Sequence, residues 1–204
     1  MKFAYHPNAY IKLENGRIYY RKENPGSDYI RILDQRNKAQ DTQKFDEEFK
    51  KTLTITHDDI TNSKNIWAIF QEKLWQVDGL LLYKEYFHEY LIHMAKQYDL
   101  EGIDHIEAKI VMGYIVDEVI QIIFLNISYF FKNGKPIETK EELQIYRDAL
   151  KEINKELPDF TLKLVVQGLK GWSLERIDDC LKKLTFLLKT EGDLILGFDL
   201  VQVH

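Results

Sequence analysis

Three stretches of the chain are short, apolar and rich in β-formers: Ile103 to Met112, Phe160 to Val166 and Leu194 to Val201. Each is bounded by glycine or other turn residues and is too brief for a helix, so length and patterning together predict buried strands. The first two are each followed by a segment of helical period. Strand then helix, twice, then strand predicts an α/β fold with a parallel sheet.

The intervening helices carry their own signals. Ile66, Trp67, Phe70, Leu74 and Val77 recur at spacings of three and four on one face of a helix beginning near Thr61 and Asn62, which Gly79 is expected to interrupt. A second helix places Tyr83, Tyr86, Phe87, Tyr90, Met94 and Tyr98 on its buried side and ends before Gly102. Thr139, followed three residues later by Glu142, matches a capping box, and Leu143, Tyr146, Leu150, Ile153 and Leu157 form the stripe behind it until Pro158. Ser173 is placed to cap a last helix striped by Leu174, Ile177, Leu181, Leu184 and Leu188, with Gly168 to Gly171 as the loop before it.

Residues 1 to 60 differ in character, being polar, dotted with aromatics and rich in turns. Asn15-Gly16 lies between Tyr10 to Leu13 and Arg17 to Tyr20, which predicts a hairpin. Asn24-Pro25-Gly26 then breaks the chain, and Arg31 to Glu48 is charged enough for a solvated helix or loop. The division expected is an N-terminal extension, 1–60, and an α/β body, 61–204.

Composition narrows the function classes. A net charge of -5 offers no basic face for nucleic acid. No run reaches the roughly 18 apolar residues of a membrane helix. The stretch from Met1 to Tyr5 turns polar too quickly for a secretory core, and the single cysteine, Cys180, excludes an internal disulfide, so an intracellular, reducing compartment is the expectation. Cys180 sits in an apolar helical pattern, where a buried thiol is the plainer reading than a reactive one.

Gly197-Phe198-Asp199-Leu200-Val201 resembles the fourth-strand motif of the adenosine deaminase-related growth factors, a secreted branch of the adenosine/AMP deaminase superfamily. The resemblance continues upstream through Phe45, Asp46 and Phe49, Trp67 and Phe70, Gly79, Leu80 and Tyr83, Tyr86-Phe87, and the strand bearing Ile106, Glu107 and Lys109. It implies that the three strands are the second to fourth of a TIM-type (β/α) barrel, a fold of roughly 250 residues, so that this chain makes a partial barrel. It also implies a zinc-dependent purine deaminase. The family's zinc ligands, a His-x-His on the first strand, a His on the fifth and an Asp on the eighth, and its proton-shuttling Glu lie in segments that have no counterpart in this sequence. The expectation is therefore no catalytic residue, no metal ligand and no cofactor in this chain.

The resemblance also places Trp67 where secreted members line the substrate pocket, although its apolar stripe equally suits core packing. Gln167-Gly168-Leu169-Lys170 replaces the family's Ser-Asp-His-Arg, and Gln202 replaces a substrate-contacting glycine. Independent metal candidates are weaker than their bland readings. Glu85, His88, Glu89 and His93 have helical spacing but no second copy of the motif, and read as a solvated face. His105 and Glu107 share a strand face and read as a hydrogen-bonded pair. His6, His57 and His204 have no readable partner.

From Tyr114 to Phe131 the sequence is apolar where the family has a polar loop. Either it is extra core or it is a surface for a partner, with Ile120, Ile123, Phe124, Phe130 and Phe131 as its anchors. Asp117, Glu118, Gln121 and Asn126 speak against a membrane span. Together with a sheet whose edges stay unpaired, this predicts a catalytically inactive deaminase-like chain that serves as a structural or interaction subunit, its protein partners covering the edge and the apolar segment. The competing reading is one portion of a zinc-dependent adenosine deaminase. A purine-binding module without turnover would rest on Trp67 alone.

Overall fold

The computed structural model describes residues 5–62, 64–117 and 137–201, which form a mixed α/β chain. Two compact units divide it: residues up to Phe87 with Val116 and Asp117, and His88–Ile115 with residues 137–201.

In the first unit, strands β1 (Ala9–Lys12), β2 (Ile18–Tyr20) and β3 (Tyr29–Arg31) form an antiparallel sheet in the order β2-β1-β3. The hairpin expected at Asn15-Gly16 is present. Gly16 takes a φ of 67°, which a side chain would resist, and Asn15 Oδ1 accepts the Arg17 backbone N–H at 3.0 Å. The charged stretch after β3 is helical in two pieces, α1 (Ile32–Lys38) and α2 (Thr42–Leu53). Asp41 caps α2 by accepting from Lys44 N, and Arg36 grips Asp46 through two bonds of 2.7 and 2.9 Å that tie the two helices together. A short α3 (His57–Asn62) precedes α4 (Ile66–Leu81), which Asn65 caps.

Gly79 does not interrupt α4. The helix runs on to Leu81, and the glycine is the point where β2 packs against it: a Cβ there would lie 2.5 Å from the Tyr19 ring and 2.8 Å from the Ile18 carbonyl oxygen. Close approach, not helix breaking, is what the missing side chain provides. The core beside it joins Ile18, Ile32, Phe49, Leu80 and Tyr86, with Tyr20 and Tyr83 stacked at 4.2 Å.

Helix α5 (Lys84–Leu100) starts in the first unit and continues in the second, which it enters at His88. There the parallel sheet is present as expected, with β4 (His105–Ile110), β5 (Thr161–Leu169) and β6 (Ile195–Val201) in the order β4-β5-β6, and with α6 (Thr139–Glu156) and α7 (Leu174–Thr190) in the two connections. Strand β5 extends past the expected end at Val166 because its last residues pair with β6, Gln167 with Asp199 and Leu169 with Val201. Gly168 is part of this strand, not of the following loop, and its bare Cα lets Phe198 and Leu200 lie over it. Leu162, Leu164 and Val166 are buried on one face, and Leu143, Tyr146, Ala149 and Ile153 of α6 and Leu184 of α7 are buried as well. Ser173 caps α7 as predicted, accepting from Arg176 N.

The capping box at Thr139 is not formed. The cap residue is Glu138, without a side-chain bond, and Glu142 instead turns inward, 1 % exposed, to accept the Gly113 N–H at 2.8 Å. That bond fastens the turn after β4 to the first helical turn of α6. Burial pushes the Glu142 carboxyl up to about 7, against the modest opposing pull of the Gly113 N–H.

Three substitutions test these contacts. Gly79→Ala should lower stability by about 1–2 kcal/mol in chemical denaturation, because the clash with backbone at Ile18 exceeds the roughly 1 kcal/mol that alanine gains in a helix. Gly171→Ala, whose Cβ would meet nothing within 4 Å, should shift it by less than about 0.5 kcal/mol. For Glu142, the folded state keeps its proton up to about pH 7 while an unfolded glutamate has lost it near 4.5, so the native state binds more protons between those values. Stability should then fall as pH rises through that window, by an amount of order 3 kcal/mol, and level off above it. Glu142→Gln, which keeps an acceptor for Gly113, should flatten that decline in denaturation curves taken across the window.

Candidate functional site

The face of the parallel sheet turned away from the buried leucines carries the polar residues that the alternation of β4 predicts. His105, Glu107 and Lys109 are exposed on β4, and the register sets them beside Thr161, Lys163 and Val165 of β5, with Gln167 next to Asp199 of β6. Two ends of this face must be distinguished, because in parallel α/β sheets ligands are bound at the carboxyl ends of the strands.

At the carboxyl end, Lys109 reaches across β5 and donates from Nζ to Asp199 Oδ2 at 2.7 Å. That bond, with the Lys170 charge farther off, holds the Asp199 carboxyl below the usual carboxylate range. The pair joins the two outer strands and uses the charge of each partner on the other. Its sequence signal is strand parity: Asp199 falls on the same face as Lys109 once β5 is placed between them.

At the amino end, the His105 ring shares a 2.5 Å bond with Thr161 Oγ1 through Nδ1, and its Nε2 lies 3.7 Å from Glu107 Oε1. His105 is thus hydrogen-bonded to Thr161, and not to Glu107, which stands beyond hydrogen-bond reach. Lys163 donates to the Asp193 carbonyl. A zinc centre needs about three protein ligands with an open position. Among the described residues no three His, Cys, Asp or Glu side chains converge, and His105 is engaged at one ring nitrogen. These residues do not fit the superfamily's metal.

The other sequence candidates are dispersed. Trp67, in the first turn of α4, is 44 % exposed and stacks on Phe70 with ring centroids 5.2 Å apart. Ile66, Phe70 and Leu74 share its exposure within the first unit, so the stripe drawn from spacing is real but its buried edge lies at Leu80 and Gly79. Glu85 pairs with Lys22 at 2.9 Å, and His6 accepts the Asn8 N–H at 3.1 Å and meets the Tyr86 ring edge-on at 5.5 Å. Cys180 is half-buried, and burial raises its thiol. Ile120, Ile123, Phe124, Phe130, Phe131, Gln202 and His204 lie outside the described residues. No helix among the described residues is long and apolar enough to cross a membrane.

No family model matches the chain. Among curated proteins it is similar to "Adenosine deaminase 2" of Dictyostelium discoideum, 23 % identical over 206 residues, an alignment that covers 97 % of this chain and 36 % of that protein. The chain thus spans little more than a third of the length of the relative it matches. This likeness, running through nearly the whole chain, supports a distant adenosine deaminase-like homologue.

Proposed function

We propose that this chain is a catalytically inactive adenosine deaminase-like protein that serves as a structural or interaction subunit, its three parallel strands standing for the second to fourth of a TIM-type barrel of the growth-factor branch. The observation that carries this reading is the Lys109–Asp199 pair at the carboxyl end of the sheet. Where a deaminase needs water activated by a metal and a carboxyl free to move a proton, these two groups neutralise each other. His105, 3.7 Å from Glu107, stands at the opposite end of β4.

An interaction role is supported by the sheet itself. Within the parallel sheet, among the described strands, β4 and β6 are each paired on one side only, and Leu196 and Leu200 of β6 are exposed, 48 and 39 %. Such an edge favours association with a further strand or a covering element. The apolar sequence that continues to Phe131 is the second partner contact of this proposal, with Ile120, Ile123, Phe124, Phe130 and Phe131, which lie outside the described residues, as its anchors. A second reading, one portion of a zinc-dependent adenosine deaminase, is favoured by the alignment that covers 97 % of this chain but 36 % of its relative.

Metal analysis and an inosine assay on the purified chain test the first reading. The expected result is no stoichiometric zinc and no inosine from adenosine; one zinc per chain with turnover would overturn it. Co-purification separates the two readings, since a companion polypeptide bearing His-x-His and His-Ala-Gly-Glu segments would establish the second. The open edge has its own measurement. Amide exchange across Ile195–Val201 should be fast in the isolated chain and slow in its native complex, and a lone monomer protected throughout that strand would sink the interaction role.

A further inference from the structure

The apolar stripe along α7 is used by the fold only in part. Leu174, Ile177, Leu181, Leu184 and Leu188 recur at alternating intervals of three and four, the repeat of a seam between two helices. Leu184 is buried and Ile177 half-buried. Leu174, Leu181 and Leu188, seven residues apart and so in line on one flank, are exposed, Leu174 by 86 %. The opposite flank, with Arg176, Asp179, Cys180 and Lys183, borders a pocket that Met112, Thr139 and Val166 close from the side of β4 and α6. The leucine flank therefore faces the other way, toward the side of β6 that no described strand pairs, where Leu196 and Leu200 continue the exposed apolar surface.

This flank is complementary to itself. Reversed about Leu181, the stripe sets Leu174 opposite Leu188 and Leu181 opposite its own copy. The exposed charges along its solvent side reverse with opposite sign, since Glu175 and Asp178 precede Leu181 while Lys182 and Lys189 follow it. Asp178 and Lys182 pair within one helix at 2.5 Å, and a reversed copy adds a second such pair, so that four charges of alternating sign surround the axis. A parallel copy would set acid against acid and base against base. The sheets can meet as well. Helices pack roughly 8–10 Å apart and neighbouring strands about 4.8 Å apart. Because α7 contacts both β5 and β6, two such helices side by side bring their β6 strands close to pairing distance.

We propose that the partner at this surface is a second copy of the chain, with α7 packed against α7 in antiparallel sense about a two-fold axis through Leu181 and the two β6 edges joined into one continuous sheet. The inference rests on the interaction role proposed above and names the partner in it. An isologous contact of this kind covers the apolar flank and the open edge together. The charges set orientation more than strength, because ion pairs this exposed add little.

Sedimentation of the full chain should show a concentration-dependent equilibrium between monomer and dimer. Leu174→Lys changes a side chain that the fold leaves in solvent, and should weaken the dimer at least about tenfold, because each dimer loses two leucine contacts and gains two charges in an apolar seam. Orientation is read in a Cys180→Ala background, which removes the chain's sole cysteine. Leu174→Cys and Leu188→Cys molecules, oxidised as a mixture, should cross-link to each other and not to themselves. A monomer at the highest soluble concentration, a dimer indifferent to Leu174→Lys, or cross-links within a single variant would each overturn the proposal. Failure of the interaction role looks different, being a monomer protected throughout Ile195–Val201. A monomer with fast exchange there, retained by a different polypeptide, rules out the second copy and leaves that role standing.

Discussion

The structure of the second unit depends on the pairing of β5 along both its edges. Parallel strands need a crossover between them, and each crossover here contains a helix, α6 before β5 and α7 before β6. Because β5 lies in the middle, Leu162, Leu164 and Val166 reach nearly complete burial, while β4 keeps its alternation of exposed and half-buried residues and β6 leaves leucines at the surface. The position of a strand in the sheet, not its hydrophobicity, sets its burial. Leu194 to Val201 is as apolar as Phe160 to Val166 and is nonetheless the more exposed.

That pairing also arranges the polar groups. The register sets Lys109 beside Val165 and Asp199 beside Gln167, two residues farther along β5 on the same face, and the lysine's long stem closes the gap. An ion pair between two such partly exposed groups adds little to stability. Its significance is positional, since it occupies the end of the sheet where chemistry would be sited. Further stitching is done by Arg147, whose guanidinium binds both Asp193 and Glu191 and so ties α6 to the turn between α7 and β6, and by Asn154, which donates to three carbonyls at the end of α6.

Glu142 shows how a local signal is overruled. Thr139 and Glu142 have the spacing of a capping box, yet Glu142 is buried and accepts the half-buried Gly113 N–H, because a carboxyl group left unpaired at that depth costs more than an unmade cap. Gly79 is a second case. In a helix taken alone a glycine weakens the backbone, whereas against β2 it is what lets Tyr19 and Ile18 approach.

Sequence alone determined the elements whose cause is local. The three strands, their parallel arrangement, the Asn15-Gly16 hairpin, the Ser173 cap and the polar face of β4 all follow from periodicity, turn chemistry and alternation within a few residues, and the distant kinship with adenosine deaminases is legible in motifs of the same length. Tertiary structure decided what depends on residues far apart in the chain. The extension of β5 to Leu169 required β6 as a partner, the inward turn of Glu142 required Gly113, and the exposure of Trp67 required knowing which side of α4 meets β2. Register and burial are properties of pairs of elements, and no spacing within one element encodes which neighbour will arrive.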